Sequence, residues 1–391
     1  MSMAGRRALR GLLLPWLIGI ALRLPILAVP PVIPALRDDF GMSGTEIGIL
    51  SGLPMVMFAA AALAGSLLVA RLGALSTAVV AMLLVAAASA LRAVAPDVTA
   101  LFVATAVTGA GIAVTQPAAA ALVRRWAPQR IGLATGLYTN GLLVGEILPV
   151  ALFPVLIVAT GGWRGSFLAW AVPVAAIAMA VFVLAPRDWE QRDGQPVSRA
   201  WWPDWRDPEI WRVGLVFAGS NTMYFGVNAF LPGYLAGTGR DDLISPSLTA
   251  LNSGQLPASF LLIALAGRLE RRAWPFVATG LLGVASIAGI VLTASGWTVA
   301  FAGLAGFAAG AAFVLGLTLP PLLSAPEDVA RMSAAVFTVS YSVGVVCTVL
   351  GGMAWDLGGT AAFAFLPVAA AALPMLLLAP AIRFRRQAAM A

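Results

Sequence analysis

Arg23 is the only charge in the apolar stretch Leu12 to Leu36, and it stands close to the midpoint. A charged side chain at that depth in a bilayer costs about 2.5–3.5 kcal/mol on insertion scales, so sequences that keep one use it in a bundle interior or a water-filled cavity. Its guanidinium is permanently charged and carries five donors in a planar fork. In a low-dielectric cavity that fork suits a small anion or a polar planar group such as carboxylate, cyanate or nitro. The competing role is an internal ion pair that holds helices together. Glu146, in Gly145-Glu146-Ile147-Leu148-Pro149, is the acid placed to supply that pair. It is also the deep acid able to bind and release a proton, because the chain contains no His and no Lys. Both roles follow from the rule that charges inside a membrane are paired or functional.

Further polar residues recur at helical spacing. Asn221, Tyr224 and Asn228 lie at i, i+3 and i+7, on one helix face. Asn252, Gln255 and Ser259 repeat that spacing one segment later. Such a stripe lines a cavity or makes interhelical hydrogen bonds worth about 0.6–2 kcal/mol each. Gln116, Tyr138, Thr139, Asn140 and Tyr341 are further candidates for contact with a solute, and Thr139 shares a face with Glu146 seven residues on. Ser340 and Ser342 are expected to bond back to their own helix.

These residues sit in a chain of 391 residues that is 60% hydrophobic, only 10% charged, and has a mean hydropathy of +0.93. Soluble domains carry about 25% charged residues. The apolar runs have the roughly 20-residue length that a bilayer core requires. Twelve segments are predicted: 12–36, 46–70, 75–94, 98–122, 131–157, 165–185, 211–236, 246–267, 275–295, 298–322, 332–354 and 362–382. The polar stretch 186–210, rich in Pro and Trp, divides them into halves 1–185 and 211–391, each with six segments. Trp201, Trp202 and Trp205 of that stretch are expected at the membrane interface. Pro25, Pro30, Pro31 and Pro34 are expected to kink the first segment.

Arginines such as Arg71, Arg124, Arg125, Arg130, Arg268, Arg271, Arg272, Arg331, Arg383, Arg385 and Arg386 fall on one side. The other side holds only Arg37, Arg92, Arg164 and Arg240, with Asp38, Asp39, Asp97, Asp241, Asp242 and Asp356. The positive-inside rule then places both termini in the cytoplasm. The N-terminal apolar run is read as a retained span, since it is long and lacks a small-residue cleavage site. The dispersed arginines speak against nucleic-acid binding despite the net charge of +7. The single Cys347 excludes an intrachain disulfide and a Cys-based metal site. No metal or cofactor is expected. Without Lys there is no Walker-type loop, and no H-E-x-x-H or G-x-S-x-G is present, so enzymatic chemistry has no support.

The halves repeat each other at an offset of about 201–203 residues. Ser51-Gly52 recurs as Ser253-Gly254, Ala64-Gly65 as Ala266-Gly267, Pro30 as Pro232, Pro117 near Pro320, and Arg130 as Arg331. The position matching Arg23 is Phe225, so the central cation belongs to one half. Six plus six with parallel halves is a pattern of secondary transporters.

Over nearly its full length the chain resembles the major facilitator superfamily. That family's loop between its second and third helices reads G-x-x-x-D-R-x-G-R. Here the region is Gly65-Ser66-Leu67-Leu68-Val69-Ala70-Arg71-Leu72-Gly73, which keeps Arg-x-Gly without the acid. The turn Gly161-Gly162-Trp163-Arg164 is similar to the family's. Ala21-Leu22-Arg23-Leu24-Pro25 and the acidic turn Arg37-Asp38-Asp39 resemble the cyanate/2-nitroimidazole permease branch, with Ala21 where that branch has Asn. Gly109 to Val114 and Phe230-Leu231-Pro232-Gly233-Tyr234 share the likeness.

The resemblance implies an all-α membrane protein with twelve transmembrane helices in two pseudo-symmetric six-helix bundles. It further implies a monomeric secondary transporter of the inner membrane, working by alternating access on a small anionic or polar planar solute; proton coupling through Glu146 is an expectation drawn from that residue as the deep acid of a chain without His. The alternatives are a multidrug or nitroimidazole-type exporter with a broad apolar cavity, and a membrane receptor or structural subunit that moves nothing.

Overall fold

Lipid offers no hydrogen bonds to a backbone, so a spanning segment must satisfy its own N–H and C=O groups as a helix or within a closed barrel. The computed structural model describes residues 3–127, 130–185, 203–269, 272–293, 296–324 and 329–382, and no strand occurs among them. The first ten helices in chain order are α1 (Met3–Leu27), α2 (Ile33–Phe40), α3 (Gly44–Leu72), α4 (Ala74–Ala93), α5 (Val98–Trp126), α6 (Ile131–Ala151), α7 (Phe153–Thr160), α8 (Trp163–Leu184), α9 (Pro208–Gly237) and α10 (Ile244–Ser253). The rest are α11 (Gln255–Leu269), α12 (Trp274–Leu292), α13 (Trp297–Leu323), α14 (Val329–Gly358), α15 (Phe365–Ala370) and α16 (Leu373–Leu377). Most of the stretch 186–210, with Trp201 and Trp202, lies outside the described residues, as do Arg271, Arg383, Arg385 and Arg386.

All twelve expected segments fall on helix. Among the described residues nine are long and apolar enough to cross a membrane, or ten when α6 and α7, bent by 56°, count as one span. The other two are α9 and the α10–α11 pair. Three polar residues in succession, Ser220, Asn221 and Thr222, and then Tyr224 and Asn228, dilute the apolarity of α9. Helices α10 and α11 have 10 and 15 residues and break at Gly254. The corresponding Gly52 of the first half runs uninterrupted inside α3. At Gly254 a Cβ would collide with the carbonyl oxygen of Gly303 on α13, so the glycine is needed for that approach.

Local signals set the ends. Asp97 caps α5 by accepting from the Ala100 N–H at 2.8 Å, and Asp207 caps α9 ahead of Pro208 by accepting from the Glu209 N–H at 2.8 Å. Ser43 and Glu46 form a reciprocal box before α3: the Ser43 N–H donates to Glu46 Oε2 at 2.8 Å and the Glu46 N–H to Ser43 Oγ at 3.1 Å. Pro25 ends α1 within three residues, and a 3-10 turn at Pro30–Val32 separates α1 from α2.

The chain forms two units. The first comprises Met1–Met42 and Leu53–Gln195, and the second Ser43–Gly52 and Pro196–Ala391. The core of the first is built where α1 packs along α6 and where α4 packs on α5 and α8. In the second, α9 lies against α13 and α14, and α10 and α11 lie against α13. The start of α3 joins the second unit through glycines. Gly44 and Gly48 are spaced four apart, and a Cβ on Gly48 would collide with the Thr348 carbonyl of α14. A Cβ on Gly52, one more turn along, would meet Thr348 Oγ1 at 3.1 Å.

Candidate functional site

In the first unit, α1 and α6 approach so closely that glycine is required on both. A Cβ on Gly19 would collide with the Tyr138 carbonyl, and one on Gly141 with the Trp16 carbonyl. A Cβ on Gly145 would stand 2.5 Å from the Ile20 carbonyl oxygen. This approach sets Arg23 of α1 beside Glu146 of α6. Arg23 Nε lies 3.2 Å from Glu146 Oε1, with side-chain exposures of 13% and 5%. At such burial the pair gains from low dielectric and loses to desolvation, and removing either partner leaves a charge uncompensated. About two turns away along α1, Trp16 Nε1 donates to Asn140 Oδ1 at 2.9 Å. Trp16 and Arg23 are seven residues apart and so share a face of α1. The bend between α6 and α7 falls at Leu152, six residues after Glu146, with Pro154 in the first turn of α7.

In the second unit the polar residues of α9 and α10 form a closed network. Tyr224 Oη donates to Asn252 Oδ1 at 2.8 Å. Asn252 Nδ2 donates to Asn228 Oδ1 at 3.2 Å and to the Leu248 carbonyl at 2.8 Å. Asn228 Nδ2 donates to the Tyr224 carbonyl at 2.9 Å. Asn221 Nδ2 reaches α14 and donates to Ser340 Oγ at 2.7 Å. All four of Asn221, Tyr224, Asn228 and Asn252 are buried. Beside them runs a tier of aromatic rings. Phe217 stacks on Phe313 at 5.3 Å and meets Phe337 edge-on at 5.3 Å, and Phe337 stacks on Tyr341 at 5.9 Å. Phe225, the counterpart of Arg23, packs edge-on against Tyr224 at 5.1 Å. Gln255 opens α11, and its Cα and Cβ lie 3.0 Å from a Cβ built on Gly310.

The structure brings Tyr224 and Asn228 of the α9 stripe together with Asn252 of α10. It does not bring every candidate together. Thr139 is exposed and its hydroxyl donates to the Thr135 carbonyl at 3.0 Å, so the face it shares with Glu146 is covered at one end only. Gln116 is half-buried on α5, and Tyr138 is half-buried on α6 with its backbone against Gly19. Ser340 accepts from Asn221 across helices, contrary to the expected bond to its own helix. Trp16 and the rings Phe217, Phe313 and Phe337 that lead to Tyr341 are additions of the structure. For Trp16 a sequence signal exists: it stands two turns before Arg23 on the same face.

A larger finding concerns Arg92. Read from the sequence only as one of the few arginines on the side opposite the termini, it is 1% exposed in the last turn of α4.

Known proteins align with this architecture. Residues 16–346 match the Major Facilitator Superfamily. The cyanate transport protein CynX of Escherichia coli (strain K12) is 28% identical over 307 residues, spanning 78% of this chain and 78% of the relative. The 2-nitroimidazole transporter of the same organism is 28% identical over 346 residues, spanning 86% and 84%. Both belong to the branch that the residues around Arg23 resemble. Among solved structures, a bacterial homolog to the human lysosomal transporter Spinster superposes with a TM-score of 0.75 at 16% identity over 98% of this chain and 97% of that one. The nucleoside transporter NupG superposes with a TM-score of 0.72 at 11% identity over 96% and 98%. The chain is thus a non-enzymatic membrane transporter for small molecules, and it belongs to the Major Facilitator Superfamily.

Proposed function

We propose that this transporter moves a small anionic or polar planar solute by alternating access of its two six-helix halves, with Arg23 as the docking cation. The observation that carries the reading is the Arg23–Glu146 pair, a permanently charged fork held at 3.2 Å from a carboxylate inside the first unit. Relatives named for cyanate and for 2-nitroimidazole support the class, since a cyanate ion and a nitro group both present a compact acceptor to a guanidinium. The polar residues of α9 and α10, with Gln255, Tyr341, Gln116, Tyr138, Thr139 and Asn140, are assigned the secondary role of orienting the solute.

Glu146 supplies the coupling step of the proposal. When an anion takes Arg23, Glu146 loses its counter-charge inside a low-dielectric bundle, and protonation removes that cost. One anion and one proton then cross together. The positive-inside distribution supports an inner-membrane protein with both termini in the cytoplasm.

Counterflow in proteoliposomes tests this. A panel of small anions and nitro-heterocycles is exchanged by the parent and by Arg23→Gln. Loss of a charge-assisted contact lowers anion affinity about 10–100-fold. Unchanged anion affinity in Arg23→Gln would falsify the assignment. Glu146→Gln should still exchange solute but no longer accumulate it up a proton gradient. Accumulation equal to the parent's ends the coupling step.

A second reading, an exporter of neutral nitro-aromatic compounds, draws on the stacked rings Phe217, Phe313, Phe337 and Tyr341. It expects nitro-heterocycles to be exchanged by Arg23→Gln as well as by the parent. A protein that exchanges nothing on the panel would instead be a receptor or structural subunit.

A further inference from the structure

A groove of about 480 Å³ runs between α4 and α5, at the end where Val94 to Asp97 connect the two helices. Buried Ala88 and Ala104 form its floor, and half-buried Ala100 lies beside them. Exposed Leu91, Val94 and Val103 rise around it. Small residues on both helices leave the space open, and its lining is almost wholly apolar. On α5 the groove reaches Val107. From Val98 to Val107 a helix rises about 15 Å, half of a hydrocarbon core about 30 Å thick. The groove thus has the length of one leaflet.

The rim of the groove carries two opposite charges. Asp97 lines it and is exposed. Its Oδ1 accepts from the Ala100 N–H at 2.8 Å as the cap of α5, which leaves Oδ2 open among the described residues. The positive charge is Arg164 of α8. Its Nη1 donates to the Ala93 and Ala95 carbonyl oxygens at 3.3 and 3.0 Å, and Ala95 lines the groove. The guanidinium carbon lies 4.3 Å from the Trp163 ring and 5.6 Å from the Phe40 ring. These contacts hold Arg164 at the rim while it stays exposed, and no carboxylate pairs with it among the described residues. Asp39, the acid of this cluster, accepts from Trp163 Nε1 at 2.7 Å. Arg92 is buried, bonded to Ser89 and covered by Phe167.

We propose that the groove holds one acyl chain of a zwitterionic phospholipid with a primary amine, its phosphate on Arg164 and its ammonium on Asp97. Such a headgroup meets both charges. An anionic headgroup without an amine meets Arg164 and is repelled by Asp97. A quaternary ammonium has no N–H to give the carboxylate. A water-soluble zwitterion would leave the apolar groove empty. The bound lipid joins the first turn of α5 to the first turn of α8 through its headgroup. The site is independent of the Arg23–Glu146 reading, because Arg23 and Glu146 lie on α1 and α6, and its test does not require transport.

Native mass spectrometry reads the site. Purified protein is exchanged into micelles doped with equimolar phosphatidylethanolamine, phosphatidylcholine and phosphatidylglycerol of one acyl composition. The parent should retain one phosphatidylethanolamine ahead of the other two. Asp97→Asn keeps the helix cap and removes the charge. The preference for the ethanolamine lipid should then fall about 2–5-fold, as for an exposed ion pair. Arg164→Gln should weaken retention of all three lipids by a similar factor. Ala100→Leu fills the groove and should also weaken all three. Equal retention of the three lipids by the parent, or a preference for phosphatidylglycerol, overturns the proposal. So does an ethanolamine preference that survives Asp97→Asn, or retention unchanged in Ala100→Leu. Should Ala100→Leu or Arg164→Gln fail to fold, the parent and Asp97→Asn decide by themselves.

Discussion

A Cβ added to Gly145 would stand 3.0 Å from the Cβ of Arg23, closer than almost any pair of side chains tolerates. The ion pair on the next residue of α6 thus depends on the absence of a side chain at Gly145. Substituting Gly145→Ala must push α1 from α6 or strain both, at a cost of about 1–3 kcal/mol for overpacking. Gly145→Val should cost more. Both should lower Tm and slow counterflow, whereas Gly136→Ala, whose Cβ meets nothing within 4 Å, should cost neither. Equal effects at Gly136 and Gly145 would show that helix flexibility, not close approach, governs this stretch.

The ion pair itself is tested by a double-mutant cycle. Arg23→Gln or Glu146→Gln alone leaves one charge without its counter-charge, with a penalty of about 3–5 kcal/mol for a buried pair. The double variant leaves none, so its unfolding should be milder than the sum of the two by well over 1 kcal/mol. Additive losses would mean that the 3.2 Å contact carries no coupling.

These two residues were legible in the sequence because hydropathy isolates them. A charge in the middle of an apolar run has no water to turn to, so its pairing with another mid-span charge is nearly forced. Arg92 was not legible for the opposite reason. It stands at the end of a run, where a charge ordinarily reaches water, and only the placement of Phe167 over it removes that option. Thr139 fails in the same way. Seven residues return a helix to the same face but move about 10.5 Å along its axis, and at that level Thr139 is left exposed. The segments themselves were readable from length and apolarity, while the break at Gly254 depends on the approach of Gly303 from a distant helix. The equivalent glycine in the first half gives no such break, so the repeat alone would have misplaced it.

The network on α9 and α10 predicts graded losses. Tyr224→Phe removes one donor and should cost about 0.6–1.7 kcal/mol, the range of interhelical hydrogen bonds in membranes. Asn252→Leu removes the acceptor of Tyr224 and the donor to Asn228 together, and should cost more. In the double variant the Tyr224 hydroxyl is no longer stranded, so its loss should fall short of the sum. Thermal unfolding of the four proteins checks this. If instead Tyr224→Phe leaves Tm unchanged and weakens solute binding, the hydroxyl serves the solute and the bond to Asn252 is incidental.

Asp356 near the end of α14 fastens the first turn of α3. Its Oδ1 accepts from the Gly44 N–H at 2.6 Å, and its Oδ2 accepts from the Thr45 N–H at 2.8 Å and from Thr45 Oγ1 at 2.5 Å. Two of the four N–H groups that a helix leaves unsatisfied at its start are therefore met from another helix, by a charge that the helix dipole favours. The reciprocal box of Ser43 and Glu46 meets others from within the chain. Removing a cap costs about 0.5–2 kcal/mol, or about 2–30-fold in the opening equilibrium of that turn. Hydrogen exchange at residues 44–48 should accelerate by that factor in Asp356→Ala and by less in Asp356→Asn, which keeps one acceptor oxygen. Exchange farther along α3, beyond Gly52, should not change, because those residues belong with the first unit rather than with α14. Uniform acceleration along the whole helix would show that Asp356 stabilises α3 as a unit and does not hold its first turns in particular.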